Sequence, residues 1–219
     1  MRVQVADSSI DWHALQPQSD EKSVLLVEEG TSRSVGMTSE EIVLIEIEGK
    51  PALRRTQIVS SDSLGDRTAE TIVFRETFSP YSHKDRSEAY NISLNYQERK
   101  VTGEKQLASG EVIPIEVGFE APVFDSHSIE MVLRLLPLAD DYIAELSVYH
   151  AVRGTEIIVT VKTLGSEKVI VSKRLVDAWR VQTDWNGVTQ YYWIGIEDRD
   201  LVKQISILGE GVQLEFIRV

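Results

Sequence analysis

The chain has 219 residues, 42% of them hydrophobic and 26% charged, so it is long enough for one large all-β domain and has the composition of a globular protein. No apolar run approaches the roughly 18 residues of a membrane-spanning helix, and the absence of cysteine excludes disulfides, thiolate nucleophiles and cysteine-based metal centres. The formal net charge of −12 argues against nucleic acid and anionic lipid surfaces as partners, because clustered Lys and Arg dominate affinity for both.

The N-terminal stretch is polar and weakly patterned, which predicts an arm over residues 1–22 followed by a single antiparallel β domain over residues 23–219. Its first residues lack the apolar core of about 7–15 residues that a signal peptide requires. Two expectations follow for location. The chain is cytoplasmic, or it is a mature form that acts in the periplasm or cell envelope after removal of a leader.

Short β-rich segments fill the first half of the domain, beginning at Val24–Val27. The turn Gly49–Pro51 separates two of them, Glu41–Glu48 and Ala52–Ser60. Apolar residues at every second position from Tyr90 to Tyr96 indicate a strand with one buried and one wet face. Further strands are predicted at Thr68–Thr77, Lys100–Leu107 and Glu111–Val117.

One helix is predicted at about 125–136. Ile129, Val132, Leu133 and Leu136 fall at helical spacing, residues 125, 126 and 128 are suitable N-caps, and Pro137 ends the segment. Because it lies between two β regions, we expect it to pack on the sheet or to close one end of a barrel.

The last part of the chain reads as a meander. Asn186–Gly187 divides Trp179–Trp185 from Val188–Ile194, and this pair is a strong signal for a type I′ hairpin because both central residues need positive φ. Earlier strands are predicted at Tyr142–Tyr149, Thr155–Thr163 and Glu167–Lys173, with a second hairpin at Gly209–Gly211. The predicted fold is all-β, a large antiparallel meander curling into a barrel or half-barrel with one short helix.

Residues suited to acid–base or metal chemistry are few. The four histidines, His13, His83, His127 and His150, show no metal-ligand spacing, and we expect them at surface or helix-end positions. The segments Ser82–Asp85 and Ser126–Ser128 bring possible triad residues together only along the chain. The sequence therefore predicts no catalytic residue, no metal site, no cofactor and no enzyme activity.

Paired carboxylates occur at Asp140, Asp141, Asp198 and Asp200, all where turns are expected. We interpret them as solvated loop charges. A carboxylate-dependent hydrolase would need two of them to converge in a cleft.

The aromatic cluster of the last hairpin is the candidate ligand site: Trp179, Trp185, Tyr192 and Trp193. Alternation places Trp179 and Trp185 on one face of their strand and Tyr192 and Trp193 on opposite faces of the next. Two interpretations stay open. Cross-strand aromatic pairs stabilise a core, and an aromatic-lined interior of a small barrel can enclose one ligand.

Several short motifs resemble a known family. They are residues 123–128 before the helix, Leu135–Leu138 after it, Gly165-x-Glu167, Trp179-x-Val181, Tyr192–Ile194 and Asp198–Lys203. In these motifs residues 90–219 resemble the bacterial β-rich proteins known as domain of unknown function 3108. The resemblance implies an envelope or exported protein with a curved antiparallel sheet, similar in outline to lipoprotein-carrier folds, and it implies no enzyme activity.

These patterns together predict a non-catalytic binding or carrier module of the bacterial envelope for an apolar or amphipathic ligand. A carrier requires an interior cavity larger than about 300 Å³. The alternative is a structural or interaction protein that holds a protein partner through a sheet edge or face.

Overall fold

A computed structural model describes residues 1–219 and contains one continuous sheet of sixteen strands. The strands of the N-terminal half are β1 (Arg2–Val3), β2 (Gln18–Glu28), β3 (Thr31–Ile47), β4 (Lys50–Ser60), β5 (Arg67–Phe74), β6 (Pro80–Ser87), β7 (Tyr90–Gln97), β8 (Lys100–Leu107) and β9 (Val112–Gly118). Those of the C-terminal half are β10 (Phe124–Asp125), β11 (Ile143–His150), β12 (Thr155–Val171), β13 (Arg174–Trp185), β14 (Thr189–Gly195), β15 (Leu201–Gly209) and β16 (Val212–Arg218). The one α-helix, α1 (Ile129–Leu135), follows a 3₁₀ turn at Ser126–Ser128, and a second 3₁₀ turn spans Trp12–Ala14.

Two antiparallel meanders, β2–β9 and β11–β16, form this sheet, and they are joined where β16 pairs with β2. Strand β9 lies at one edge, and the short strands β1 and β10 pair parallel to β11 at the other. The sheet curls without closing. The predicted antiparallel meander is therefore confirmed, and of its two predicted forms, barrel and half-barrel, the chain adopts the half-barrel. The two-residue strands β1 and β10 are its parallel exceptions.

The hairpin between β13 and β14 has the predicted turn. Asn186 and Gly187 have φ values of 58° and 89°, and the Trp185 amide donates to the Val188 carbonyl at 2.8 Å. Both central residues are thus in the left-handed region that a type I′ turn requires. This loop sets the register in which Val181 lies opposite Tyr192.

Helix α1 lies inside the curl. Five of its seven residues are apolar and at most 2% exposed, and they belong to the same core cluster as side chains of β3–β5 and β11–β15. A helix surrounded in this way is apolar on almost every face. Its two polar residues, Glu130 and Arg134, are held by ion pairs. No helix of the chain is long and apolar enough to span a membrane.

Several element boundaries differ from those predicted. Strand β2 begins at Gln18, inside the stretch expected to be an arm, and β12 is one strand where two were predicted. A bulge between Thr163 and Ser166 shifts its register, which explains the interrupted pattern around Gly165. Strand β6, whose residues 80–87 read PYSHKDRS, was not predicted because no apolar face marks it.

Gly36 in β3 packs against the turn that follows β4. A Cβ atom there would overlap the Ser60 carbonyl and lie 2.8 Å from the Ser61 Cβ, and Ser61 is itself held by a 2.5 Å hydrogen bond from its Oγ to the Val35 carbonyl. We expect Gly36→Ala to lower the free energy of unfolding by about 1–3 kcal/mol in urea titrations. Gly209→Ala is the control, because a Cβ there meets no atom within 4 Å. Equal stability of the two variants would contradict this packing.

Candidate functional site

A cavity of about 310 Å³ lies between α1 and the concave face of the sheet. Two parts of the sheet line it with different chemistry. Strands β2, β4 and β5 contribute the cations Lys22, Arg55 and Arg67, whereas β13, β14 and β16 contribute Trp185, Tyr192 and Phe216. The segment around His127 and the loop after β11 complete the wall.

Two cations of the wall, Lys22 and Arg67, are paired with carboxylates that do not line the cavity. Lys22 pairs with Asp20 at 2.8 Å and Arg67 with Asp85 at 2.5 Å, and both carboxylates are buried. The one carboxylate on the cavity surface is Glu130, which Arg55 binds. The acidic partners of Lys22 and Arg67 therefore sit within the wall, whereas these two cations line the space.

Arg55, which lines this cavity, contacts three elements: β3, the 3₁₀ turn at Ser126–Ser128 and α1. Its Nε donates to Glu40 of β3 at 2.5 Å, its Nη1 donates to the His127 carbonyl at 2.6 Å, and its Nη2 pairs with Glu130 of α1. Burial acts to lower the pKa of Arg55, but the carboxylates of Glu130 and Glu40 outweigh it and raise that pKa. The guanidinium thus stays charged in a dry position.

Arg67 is oriented by a two-pronged contact. Its Nε and Nη2 donate to the two oxygens of Asp85 at 2.8 and 2.5 Å, and Nη2 also contacts His127 Nε2 at 2.6 Å. Because guanidinium only donates, His127 Nε2 accepts and the imidazole proton lies on Nδ1. Burial, then the charges of His83, Arg67 and Arg55, lower the pKa of His127 well below its usual value.

Two imidazoles stack beside this contact. The rings of His83 and His127 are 4.2 Å apart at 18°, and His83 Nδ1 lies 2.9 Å from the Thr71 hydroxyl. The carboxylate of Asp125 accepts the backbone amide of His127 at 2.7 Å and the hydroxyl of Tyr96. The result is a buried polar cluster that closes one side of the cavity.

His83, Asp125 and His127 are also the residues that could hold a metal ion, since one donor atom of each lies within 4.8 Å of the others. Their geometry disfavours it. Imidazole coordinates through a lone pair in the ring plane, and two nearly parallel stacked rings cannot both aim that lone pair at one ion. The Arg67 guanidinium beside His127 adds repulsion for any cation.

The expectation of surface or helix-end histidines is wrong for His83, which is fully buried in the middle of β6. His127 lies in the 3₁₀ turn before α1 and is also mostly enclosed. The missed signal is a pair of alternating motifs, His83-x-Asp85 and Asp125-x-His127. In the first, the two side chains project to one side of strand β6, and in the second Asp125 caps the 3₁₀ turn by accepting the His127 amide.

The predicted ligand residues separate into two groups. Trp185 and Tyr192 line the cavity, whereas Trp179 packs at the border of the main core. Trp193 lies on the opposite face with Ala178 and Val202, donates its ring N–H to Glu167, and stacks with Arg180 and Lys203. Two of the four residues are thus at the cavity.

None of the four candidate carboxylates lines the cavity. Asp200 pairs with Arg134 and Arg218, and Asp198 accepts the amide of Asp200 within their turn. Asp140 and Asp141 are exposed just before β11.

Comparison with known proteins gives one family and one fold. A family model described as "Protein of unknown function (DUF3108)" matches residues 29–208. No curated protein matches the chain. Among solved structures the chain is similar to a β-barrel-like protein of domain of unknown function DUF1849 from Brucella abortus, with a TM-score of 0.59 and 10% identity over 93% of this chain and 95% of that one. At this identity the likeness is one of fold.

Proposed function

This chain belongs to the DUF3108 family of proteins of unknown function, and on that premise we propose that its half-barrel is a non-catalytic binding module for a small amphipathic molecule. The observation that carries the proposal is the cavity beneath α1. Its volume of about 310 Å³ lies at the lower end of the range for ligand pockets. Its walls combine fixed polar groups with aromatic surface.

The aromatic part of the wall supplies the driving force. Removing a ligand's apolar portion from water against Trp185, Val188 and Phe216 is favourable in proportion to the area buried. A wholly apolar ligand would leave Lys22 and Arg67 facing hydrocarbon, and covering charged groups in this way is unfavourable. The mixed wall therefore favours a ligand with one apolar and one polar end.

The buried imidazoles support a binding role over a catalytic one. His127 accepts from Arg67 at 2.6 Å, and His83 is engaged by Thr71 at 2.9 Å. A general base needs its free nitrogen directed at a nucleophile or at a proton of the substrate. His83 Nε2 has no hydrogen-bond partner, but it is buried and His83 does not line the cavity, so a ligand in the cavity does not reach this nitrogen.

Native mass spectrometry of the protein purified from its own host tests retention of a small molecule. In solution, we expect Trp185→Ala to weaken binding of decanoate at least about tenfold through loss of ring contact, and Trp193→Ala to leave it unchanged. Both variants remove a buried tryptophan, but only Trp185 faces the cavity. Circular dichroism verifies that both remain folded. Equal affinity of the two variants, or binding by neither the variants nor the parent, would contradict the proposal.

A protein partner is the second candidate, favoured by the free outer edge of β9. This strand pairs only with β8, and Val112 and Ile113 in it are exposed. Pro114 in the middle of the edge lacks an N–H and limits strand addition there. Retention of a protein instead of a small molecule in the native spectrum would favour this candidate.

We place the module in the bacterial envelope, on the family resemblance of residues 90–219. The same purification tests this. Recovery from an osmotic-shock extract supports the envelope, and recovery from the cytoplasmic fraction alone overturns it.

A further inference from the structure

Arg67 carries hydrogen-bond donors that the protein does not use. A guanidinium has five N–H groups. Those on Nε and Nη2 are directed at Asp85 and His127 at 2.5–2.8 Å, whereas Nη1 makes no hydrogen bond within the protein. The side chain lines the cavity and is 32% exposed. The two N–H donors of Nη1 are therefore free, on a fixed side chain that lines the cavity.

Asp85 fixes the orientation of the Arg67 guanidinium and leaves its Nη1 free to bind a ligand. The carboxylate is buried behind the guanidinium, where it also accepts the Tyr90 hydroxyl at 3.3 Å. Because the side chain is already held in one orientation, a ligand that binds Nη1 does not have to order it. The bidentate edge of this guanidinium is already occupied by Asp85, and Nη1 offers an anionic oxygen charge-assisted hydrogen bonds from a fixed position.

Further positive groups border the same space. Lys22 uses one hydrogen bond, to Asp20, of its three possible donors, and Arg153 in the loop after β11 has no ion pair. The only carboxylate on the surface of the cavity, Glu130, is bound by Arg55. An anion that enters therefore meets donors and cations and no unpaired carboxylate.

The positive groups that border the cavity also affect the pKa values of two neighbouring histidines. Burial, followed by the charges of His83, Arg67 and Arg55, lowers the pKa of His127. Burial, followed by the charge of Arg153, lowers the pKa of His150, which also lines the cavity. The part of these shifts that comes from the charges of Arg67, Arg55 and Arg153 also favours a negative charge beside the rings, whereas the part that comes from burial does not.

We infer that the polar end of the bound molecule is an anionic oxygen group, a carboxylate or a phosphate, and that Nη1 of Arg67 binds it. This inference rests on the proposed function of the cavity. The apolar end then lies against Trp185 and Phe216, and Lys22 and Arg153 add longer-range attraction. Arg67 is thus the residue that selects anionic amphiphiles over neutral ones of the same length.

Three probes that share a ten-carbon chain separate the possibilities by calorimetry: decanoate, decyl phosphate and decanol. We expect the parent protein to bind at least one of the anions at least about tenfold more tightly than decanol. The anion that binds more tightly shows whether the polar end of the natural ligand is a carboxylate or a phosphate. Arg67→Gln should lose that preference and bind decanol as the parent does. Arg86→Gln is the matched control, since Arg86 lies on the exposed face of the neighbouring strand.

Removing Arg67 alone leaves Asp85 buried without its partner, so the double variant Arg67→Gln with Asp85→Asn is measured beside it. It replaces both charges with amides of similar shape and should show the same loss of anion preference. Equal affinity of the parent for all three probes would overturn the inference while leaving the proposed function in place. Binding of none of the three by the parent would overturn the proposed function itself.

Discussion

Replacing Arg55 with methionine is expected to lower the free energy of unfolding by about 3–5 kcal/mol, because it leaves two carboxylates buried without their counter-ion. Glu40 and the Arg55 side chain are each 4% exposed, and Glu130 is 20% exposed. The variant also removes the donor to the His127 carbonyl. Urea unfolding near neutral pH measures the loss directly.

A compensated variant separates the effect of unpaired charge from the loss of packing. Exchanging Arg55, Glu40 and Glu130 together for Met, Leu and Met removes the whole ion triad, and buried triads of this kind can be replaced by apolar residues at little net loss of stability. We expect this triple variant to regain most of the stability. Arg86→Met, on the exposed face of β6, should be close to neutral. If Arg55→Met were as stable as the parent, the ion pairs of Arg55 would not stabilise this part of the cavity wall.

The parts of the fold with local causes could be predicted from the sequence. The Asn186–Gly187 turn, the alternation from Tyr90 to Tyr96 and the spacing of α1 each depend on neighbouring residues. The curl followed from the number of strands, because an open sheet of that size bends or closes.

The interior of the curl could not be predicted in the same way, because it is partly polar. Predicting a strand from alternating apolar residues assumes that the inward side chains are apolar. In β6 the inward side chains are His83 and Asp85, and in β2 they include Asp20 and Lys22. These strands lack the pattern that identifies a strand. Their pairing is set by partners distant in the chain, as in the contact of Arg55 with residue 127.

The sequence contains enough information to predict which aromatic residues of the last hairpin line the cavity and which do not. A two-residue turn at Asn186–Gly187 places Val181 opposite Tyr192 and Arg180 opposite Trp193. Since Trp185 and Val181 share a face, Tyr192 joins them and Trp193 points to the other side. The register implied by the turn therefore separates the cavity residues from Trp193.

Acidification is expected to destabilise the protein, and His127 should account for a measurable part of the loss. Burial, then His83, Arg67 and Arg55, lower the pKa of this imidazole well below 6.5. The unfolded chain then binds a proton in a range of pH where the folded chain does not. The stability from this group is complete above 6.5 and falls as the pH drops towards the folded pKa, by about 1.4 kcal/mol per pH unit.

The carboxylates near His127 do not offset this effect. Asp85 and Asp125 lie 3.9 and 3.8 Å from its ring nitrogens. Asp85 already accepts both prongs of Arg67, and Asp125 accepts the Tyr96 hydroxyl and the His127 amide. A protonated His127 would also face the Arg67 guanidinium and would lose the hydrogen bond that its Nε2 accepts. Protonation therefore opens the wall of the cavity at the point where we place the ligand's charge.

His127→Gln removes the titrating group and keeps an acceptor for Arg67. Urea unfolding between about pH 7.5 and about pH 5 should show a shallower pH dependence for this variant than for the parent, so that the two stability curves converge as the pH falls. His13→Gln, at an exposed position outside the cluster, is the control and should keep the slope of the parent. If His127→Gln and the parent lose stability in parallel over this range, the imidazole is not held neutral by its surroundings. The positive field inferred for the cavity would then lose its support from this group.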